Sequence, residues 1–429
     1  MGHSAQSETN DTIDHIFQGY EGPAFAIRLW DGWQWSSRTS EKPACTLVVE
    51  NPKALASLVA KPNEITLGEA FIHGDLEVEG DIFSIFAVVE HLLNRPRRLR
   101  RQIMERLAGA LFGLGQRMRH GSVNSRRRDR ASIAYHYDQP VAFFEPWLGQ
   151  SLVYSCAYFH TAEDSLDRAQ AQKLELICRK LRLQPGERFL DIGCGWGSLL
   201  LHAAGARQAQ AEGITLSREQ AETAKRRIAQ SGLNGHCCAE WRDYRELDGR
   251  QERFDKIASV GMFEHVGLKN LPEYFGAAYR LLKPGGLFLN HGIARSPLSP
   301  LRQSSFIDRF VFPDGRLVTL AQALNAAESQ GLEVRDVENL REHYEMTMRR
   351  WVEGLRRNVD ALLEHVPMAT YRTWLLYMAG SAAAFRRGNI GVYQVLLSRP
   401  DKGNSRLPLT RDDLYAASAC GEEEEEVGV

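Results

Sequence analysis

Apolar and polar residues alternate through FAIRLWDGWQW and CTLVVEN, the period of two at which a short strand turns one face to a core. After them PKALASLVA reads as a helix, LGEAFIHGDLEVEGD as a glycine-punctuated turn region, and DIFSIFAVVEHLLN as a longer apolar segment. These elements predict a small α+β domain over residues 21–94, preceded by a disordered tail over 1–20.

The pattern changes at residue 95. Leu99, Ile103, Leu107, Leu111, Leu114 and Met118 recur at steps of three and four, one face of a helix, and arginine is the commonest residue at the other positions. Residues 95–130 carry twelve arginines against Glu105 and Asp129. Two readings stay open for this linker. A basic amphipathic helix lies on an anionic bilayer with its arginines at the phosphates; alternatively, the helix joins two domains, its stripe packed on protein and its arginines solvated. Gly109, Gly113 and Gly115 weaken the helix in either case.

From Glu187 onward strand and helix patterns alternate: ERFLDIG, a helix from Trp196, AEGIT, a helix from Ser217, HCCAEW, FDKIASV, a helix ending at LLKPGG, and LFLNHGI. LEVRDVENL and GVYQVLLSR add two strands around a long helical excursion through 343–386. Seven strands interleaved with helices predict an α/β fold whose mostly parallel sheet is covered on both faces. This domain is expected over 131–400, with a flexible acidic tail over 401–429 that contains Glu422–Glu426. Residues 295–345 exceed what a connector needs, and such insertions commonly build substrate sites.

Composition narrows the class. In 429 residues, 43% hydrophobic content excludes a disordered chain, and 53 Lys and Arg against 54 Asp and Glu leave no global field for nucleic acid or membrane. No run is long and apolar enough to span a bilayer and MGHSAQSETNDTID lacks the features of a secretory signal, so a cytoplasmic protein is expected. Cysteines 45, 156, 178, 194, 237, 238 and 420 are scattered without zinc spacing, which argues for a reducing compartment and no structural metal.

The chemistry begins at Asp191-x-Gly193-x-Gly195-x-Gly197, between a predicted strand and a predicted helix. Glycines there let the backbone turn and approach a ligand closely. A dinucleotide loop usually spaces its glycines as G-x-G-x-x-G; every second position, after a strand ending in Asp, resembles the first motif of S-adenosylmethionine-dependent methyltransferases. Two candidates compete for the ribose: Glu212, and the segment Thr215 to Gln220, which contains Leu216. The second is favoured, although Ser217-x-x-Gln220 is also a capping box. Asp243-Tyr244, after the third strand, suits the adenine, with a carboxylate for its amino group and a ring to stack upon.

YSCAYF at 154–159, LDIGCGWG at 190–197, GITLSREQ at 213–220, SVGMFEHVG at 259–267 and His291 together resemble the cyclopropane-fatty-acyl-phospholipid synthases, from about Pro23 to Arg399. The resemblance implies a class I, Rossmann-like methyltransferase that adds the methyl group of S-adenosylmethionine across the double bond of an unsaturated acyl chain in a membrane phospholipid, forming a cyclopropane ring. It implies cofactor binding by Tyr154, Ser155, Asp191, Gly193, Gly195, Trp196, Gly197, Thr215, Leu216, Gln220, Asp243 and Tyr244. It also implies that a bound bicarbonate is the base, cradled by Cys156, Glu264, His291, the Ile293 backbone N–H and Tyr344. A Glu beside a His holds an imidazole in one tautomer and relays its proton.

An isolated alkene is a weak nucleophile and the cation that follows must be kept from water, work suited to aromatic faces. Tyr137, Tyr154, Tyr158, Phe159, Trp196, Phe263 and Tyr344 are the candidates. The expected partner is a bilayer surface with unsaturated acyl chains, met by a homodimer peripherally associated with the inner membrane face; residues 21–94 would dock lipid or pair the copies, and no nucleic acid is expected. Three positions depart from the family pattern: Gln139-Pro140-Val141 after HYD, Ser381 where the family often has cysteine, and the acidic tail. The alternatives are a lipid enzyme leaving a methyl or methylene branch, a small-molecule methyltransferase, and a binding protein that keeps the fold without catalysis.

Overall fold

The computed structural model describes residues 13–14, 17–52, 54, 63–94, 139–249, 253–299, 306–312 and 317–415. The basic linker 95–130, the HYD segment with Tyr137, most of PKALASLVA and the Glu-rich end lie outside the described residues.

The N-terminal region contains β1 (Phe25–Leu29), β2 (Gln34–Ser36), β3 (Cys45–Val49), α1 (Glu64–His73), β4 (Leu76–Gly80) and α2 (Ile85–Asn94). Its sheet runs β2-β1-β3-β4, with β1 and β3 parallel and the outer pairs antiparallel. The turn expected at LGEAFIHGDLEVEGD is instead a helix and a strand. Asn63 caps α1 by accepting the Thr66 N–H at 2.9 Å. Gly74, at φ 79°, ends the helix, while Gly68 is there because a Cβ would lie 2.4 Å from the Phe306 ring. The glycines that suggested a turn are thus a helix end and a packing site.

The larger region continues with α3 (Val141–Leu148), α4 (Leu166–Lys180), β5 (Arg188–Ile192), α5 (Ser198–Arg207), β6 (Gln210–Thr215), α6 (Arg218–Gln230), β7 (Cys237–Trp241) and β8 (Phe254–Val260). It is completed by α7 (Leu271–Leu281), β9 (Leu282–Arg295), α8 (Phe306–Phe310), α9 (Leu320–Glu328), β10 (Glu333–Asn339), α10 (Arg341–Arg357), α11 (Val359–Leu363), α12 (Met368–Arg386), β11 (Ile390–Ser398) and α13 (Asp412–Tyr415). The seven strands lie in the order β10-β11-β9-β8-β5-β6-β7, and β11 runs against both its neighbours. The strand order reverses between β5 and β8, where the helices that follow leave to opposite faces and a crevice opens at the carboxyl ends.

Alternation along the strands builds one core on each face. Phe189 joins Leu174, Ile177, Leu200 and Ile228 on one side, while Leu190 and Ile192 join Tyr274, Phe275 and Leu281 on the other. A third cluster crosses the domain boundary: Phe25, Leu47, Phe71 and Val88 pack in one body with Trp147, Trp351, Trp374 and Phe385. Arg356 donates to the Gly80 carbonyl at 2.9 Å and Arg372 to the Phe71 carbonyl at 3.0 Å. Phe86 lies 3.1 Å from where a Cβ on Gly380 would be. Both boundaries drawn for the tails also shift: Phe17 is buried against Phe25 at 4.9 Å, and Leu414 is buried beside an Arg411–Asp336 ion pair at 2.8 Å.

Candidate active site

The glycine loop turns between β5 and α5 at the mouth of the crevice. Gly193, at φ +85°, places a hypothetical Cβ 3.1 Å from Met262, so this position needs glycine for both conformation and space. Gly193, Gly195 and Trp196 line the cleft with Asp191, Thr215, Leu216, Gln220 and Tyr244. Tyr154 and Ser155 form its opposite lip. Gly197 serves another purpose: it caps α5 at φ +84°, and a Cβ would stand 3.1 Å from Ala224 on α6.

The two ribose candidates separate clearly. Glu212 turns from the cleft and pairs with Arg188 at 2.6 Å. Thr215 stays, its hydroxyl donating to Gln220 Oε1 at 2.8 Å. Ser217 caps α6 by accepting the Gln220 N–H at 3.3 Å, while the Gln220 side chain goes to Thr215. Asp243 is fully buried and its carboxylate is held by Arg245 at 2.7 Å, outside the cleft lining that Tyr244 joins.

Asp191 is buried, its Oδ1 has no hydrogen-bond partner, and burial pushes its carboxyl up to about 7 against the nearby charge of Lys173. An orphaned acceptor at a glycine loop is what a polar ligand with donor groups would satisfy, so these residues fit S-adenosylmethionine. Lys173 was not visible as a site residue in the sequence. It is 1% exposed on α4, lines the cleft, and its ammonium donates to Ser155 Oγ at 2.9 Å.

Beyond the cleft, β9 outruns the carboxyl end of β8, whose last strand residue Val260 pairs with His291. The first amide past that end is covered by Glu264, whose Oε1 accepts the Ile293 N–H at 2.8 Å. Glu264 Oε2 is sealed from solvent and unpartnered, and burial pushes the carboxyl up to about 7. The side chain that faces His291 is Gln394, whose amide nitrogen lies 3.1 Å from Nδ1 across the β9–β11 pair. The other ring nitrogen, Nε2, is buried and unpartnered. Burial holds this histidine neutral, well below its usual pKa.

Cys156 and Tyr344 reach the same region through α10. The Cys156 thiol, which burial pushes above its ordinary range, lies 3.8 Å from the Leu340 carbonyl that also accepts the Tyr344 N–H at 3.0 Å. The Leu340 N–H donates to Val392, the register partner of Ile293. These links run through the backbone of Leu340, Val392 and Ile293.

The aromatic candidates divide. Tyr154 and Trp196 line the cleft. Tyr158 stacks on His343 at 4.7 Å and the Phe159 N–H donates to that ring at 3.1 Å. Phe263 is core, pressed under Gly292. Tyr344 packs on Phe385 at 4.7 Å. Behind Tyr154 pack Trp351, Trp147 and Trp374, at ring distances of 5.1, 5.7 and 5.7 Å. Tyr377 completes the group, its hydroxyl bonded to those of Tyr154 and Ser381. Helical spacing within 344–351 and 374–381 is the signal that exposes these side chains, and a lone polar Gln394 inside GVYQVLLS is the signal for the His291 partner.

Residues 124–395 match the family described as mycolic acid cyclopropane synthetase, and residues 12–95 match a domain of unknown function. A probable fatty acid methyltransferase of Pseudomonas putida is 40% identical over 91% of this chain and 95% of its own length. The cyclopropane-fatty-acyl-phospholipid synthase of Escherichia coli K12 is 34% identical over 84% of this chain and 89% of its own. A solved mycolic acid cyclopropane synthase in complex with SAH and CTAB superposes with a TM-score of 0.59 at 31% identity, covering 62% of this chain and 97% of that one.

Proposed function

Because the chain belongs to the mycolic acid cyclopropane synthetase family, as an S-adenosylmethionine-dependent methyltransferase acting on lipid acyl chains, we propose that its acceptor is the double bond of an unsaturated chain in a membrane phospholipid and its product a cyclopropane ring. The observation that carries this reading is Glu264: a buried carboxyl with one oxygen anchored on Ile293 and the other unpartnered, in the segment that borders the cofactor cleft at Met262 and His265. An unsatisfied buried carboxyl destabilises a fold, so its presence beside a cleft points to chemistry.

S-adenosylmethionine supplies an electrophilic methyl group. The cofactor-binding set proposed for this chain is Tyr154, Ser155, Asp191, Gly193, Gly195, Trp196, Gly197, Thr215, Leu216, Gln220, Asp243 and Tyr244; Gly197 acts by packing, and Asp243 from behind Tyr244. The rings of Tyr154, Trp351, Trp374 and Tyr377 exclude water and offer their faces to positive charge developing on the acyl chain.

Ring closure needs a base for a proton of the transferred methyl. We assign this part to bicarbonate, held by Cys156, Glu264, His291, the Ile293 N–H and Tyr344. The donor chemistry fits: His291 offers its unpartnered Nε2, Cys156 stays a thiol, and Glu264, at about 7, exchanges a proton near neutrality. The Ile293 amide acts through Glu264, which it fixes. Among the described residues no helix is long and apolar enough to cross a membrane. On this proposal a homodimer works from the cytoplasmic side at the inner face of the membrane, with the N-terminal domain and basic linker meeting the lipid.

The test is incubation of the full chain with methyl-labelled S-adenosylmethionine and either monounsaturated phospholipid vesicles or a panel of small-molecule acceptors. Label in phospholipid, with cyclopropane proton resonances, is the expected outcome. Label in lipid without a ring would favour the branching alternative, and label only in a small molecule would overturn the proposal.

A further inference from the structure

The buried Lys173 in the cleft has no part in the proposed methyl transfer or ring closure. Two polar residues of α4 face the lip formed by residues 153–156. Gln170 donates to the backbone carbonyls of Val153 and Ser155, at 3.3 and 2.9 Å, and so already pins the lip. Lys173, one turn on, reaches past the backbone to the Ser155 hydroxyl. An ammonium has three donors, and among the described residues Lys173 uses one of them. A buried cation carried for packing alone would be replaced without loss by an apolar side chain.

The donor molecule has one negative group, the α-carboxylate of its methionine end. The cleft has two cationic side chains to meet it, since burial holds its His265 neutral, and they stand at opposite ends. Arg242, at the β7 end, lies 3.7 Å from Glu240 and donates to the Glu246 carbonyl. It belongs with Tyr244, where a nucleoside base would sit. Lys173 stands on the side of the glycine loop and Ser155. Its neighbouring charge is Asp191, whose Oδ1 remains unpartnered and suits an ammonium.

We propose that Lys173 is a positioning residue that, with the Ser155 hydroxyl, selects a methyl donor bearing an α-carboxylate and fixes that end of it in the cleft. This rests on the reading of the cleft as the S-adenosylmethionine site. Desolvation, which lowers Lys173 to about 8, supports it, since a bound carboxylate would replace the lost hydration of the ammonium.

Calorimetric titration of the full chain with S-adenosylhomocysteine and with its decarboxylated analogue isolates this contact from overall folding. A charge-assisted bond worth about 1.5–3 kcal/mol gives the wild-type chain a preference of about 10- to 100-fold for the carboxylate-bearing ligand. In Lys173→Met that ratio is expected to fall to within about threefold, with affinity for the decarboxylated ligand retained. A preserved ratio, or equal weakening of both ligands, would overturn the proposal. If Lys173→Met does not fold, Ser155→Ala reads the same contact: a reduced ratio supports it and an unchanged ratio refutes it. Failure of the wild-type chain to bind either ligand would instead remove the reading of the cleft.

Discussion

Glu264→Gln should inactivate the enzyme and stabilise the fold. Folding moves this carboxyl from 4.5 to about 7, chiefly by burial. Between those values the folded chain keeps a proton that the unfolded chain has lost, so its stability falls as pH rises. The contribution is fully present below 4.5, declines as pH rises through about 7, and then levels off. The full displacement corresponds to about 3 kcal/mol, and the part falling between pH 5 and pH 8 to about 2 to 3 kcal/mol. Glutamine keeps an oxygen for the Ile293 N–H and never ionises. Urea unfolding of both chains at the two pH values gives the difference, in which titrations common to both cancel. The variant should gain about 2 to 3 kcal/mol on wild type from pH 5 to pH 8, with methyl transfer to lipid lost at both. A gap independent of pH, or one that narrows at high pH, would refute the assignment of a buried, proton-holding carboxyl.

Three further predictions follow from particular contacts. Gln394→Leu removes the amide that faces His291 Nδ1 and should lower kcat about tenfold while leaving the Kd for S-adenosylhomocysteine unchanged, measured by steady-state kinetics and calorimetry. Gly193→Ala forces a side chain into φ +85° and against Met262, and should weaken S-adenosylhomocysteine binding at least tenfold, about 1.4 kcal/mol, in the same titration. Deleting residues 1–130 uncovers the shared cluster around Phe71, Val88, Trp374 and Phe385, so cofactor binding and activity on vesicles should fall together; retained binding with lost vesicle activity would show instead that the N-terminal domain acts only on lipid.

The order of strands and the cofactor loop were legible because they rest on local signals. Alternation of strand and helix patterns announces β5 to β9, and Asp191 with its glycines at every second position declares a ligand before any tertiary contact forms. What the pattern concealed depends on partners distant in the chain. Gly68 and Gly74 look like turn residues until Phe306 and the end of α1 give each a separate cause. The side chain that orients His291 comes from residue 394, one strand away in space and 103 positions away in sequence. Glu212 is as plausible a ribose ligand as Thr215 by position, and its pairing with Arg188 on the neighbouring strand decides between them. Lys173 carries a charge into a helix face that otherwise buries Ala169, Leu174 and Ile177. Its meaning appears only when Ser155 and Asp191 are placed beside it.

On the proposed function, this site removes one proton from the transferred methyl group to close a ring. The most direct test of this step supplies S-adenosylmethionine with a trideuterated methyl to the full chain on monounsaturated phospholipid vesicles, followed by mass and NMR spectra of the acyl product. A cyclopropane carbon that retains two of the three deuterons is expected, with loss of this product in Glu264→Gln. An acyl chain that keeps all three deuterons as a methyl branch, or two on an exomethylene carbon, would contradict it.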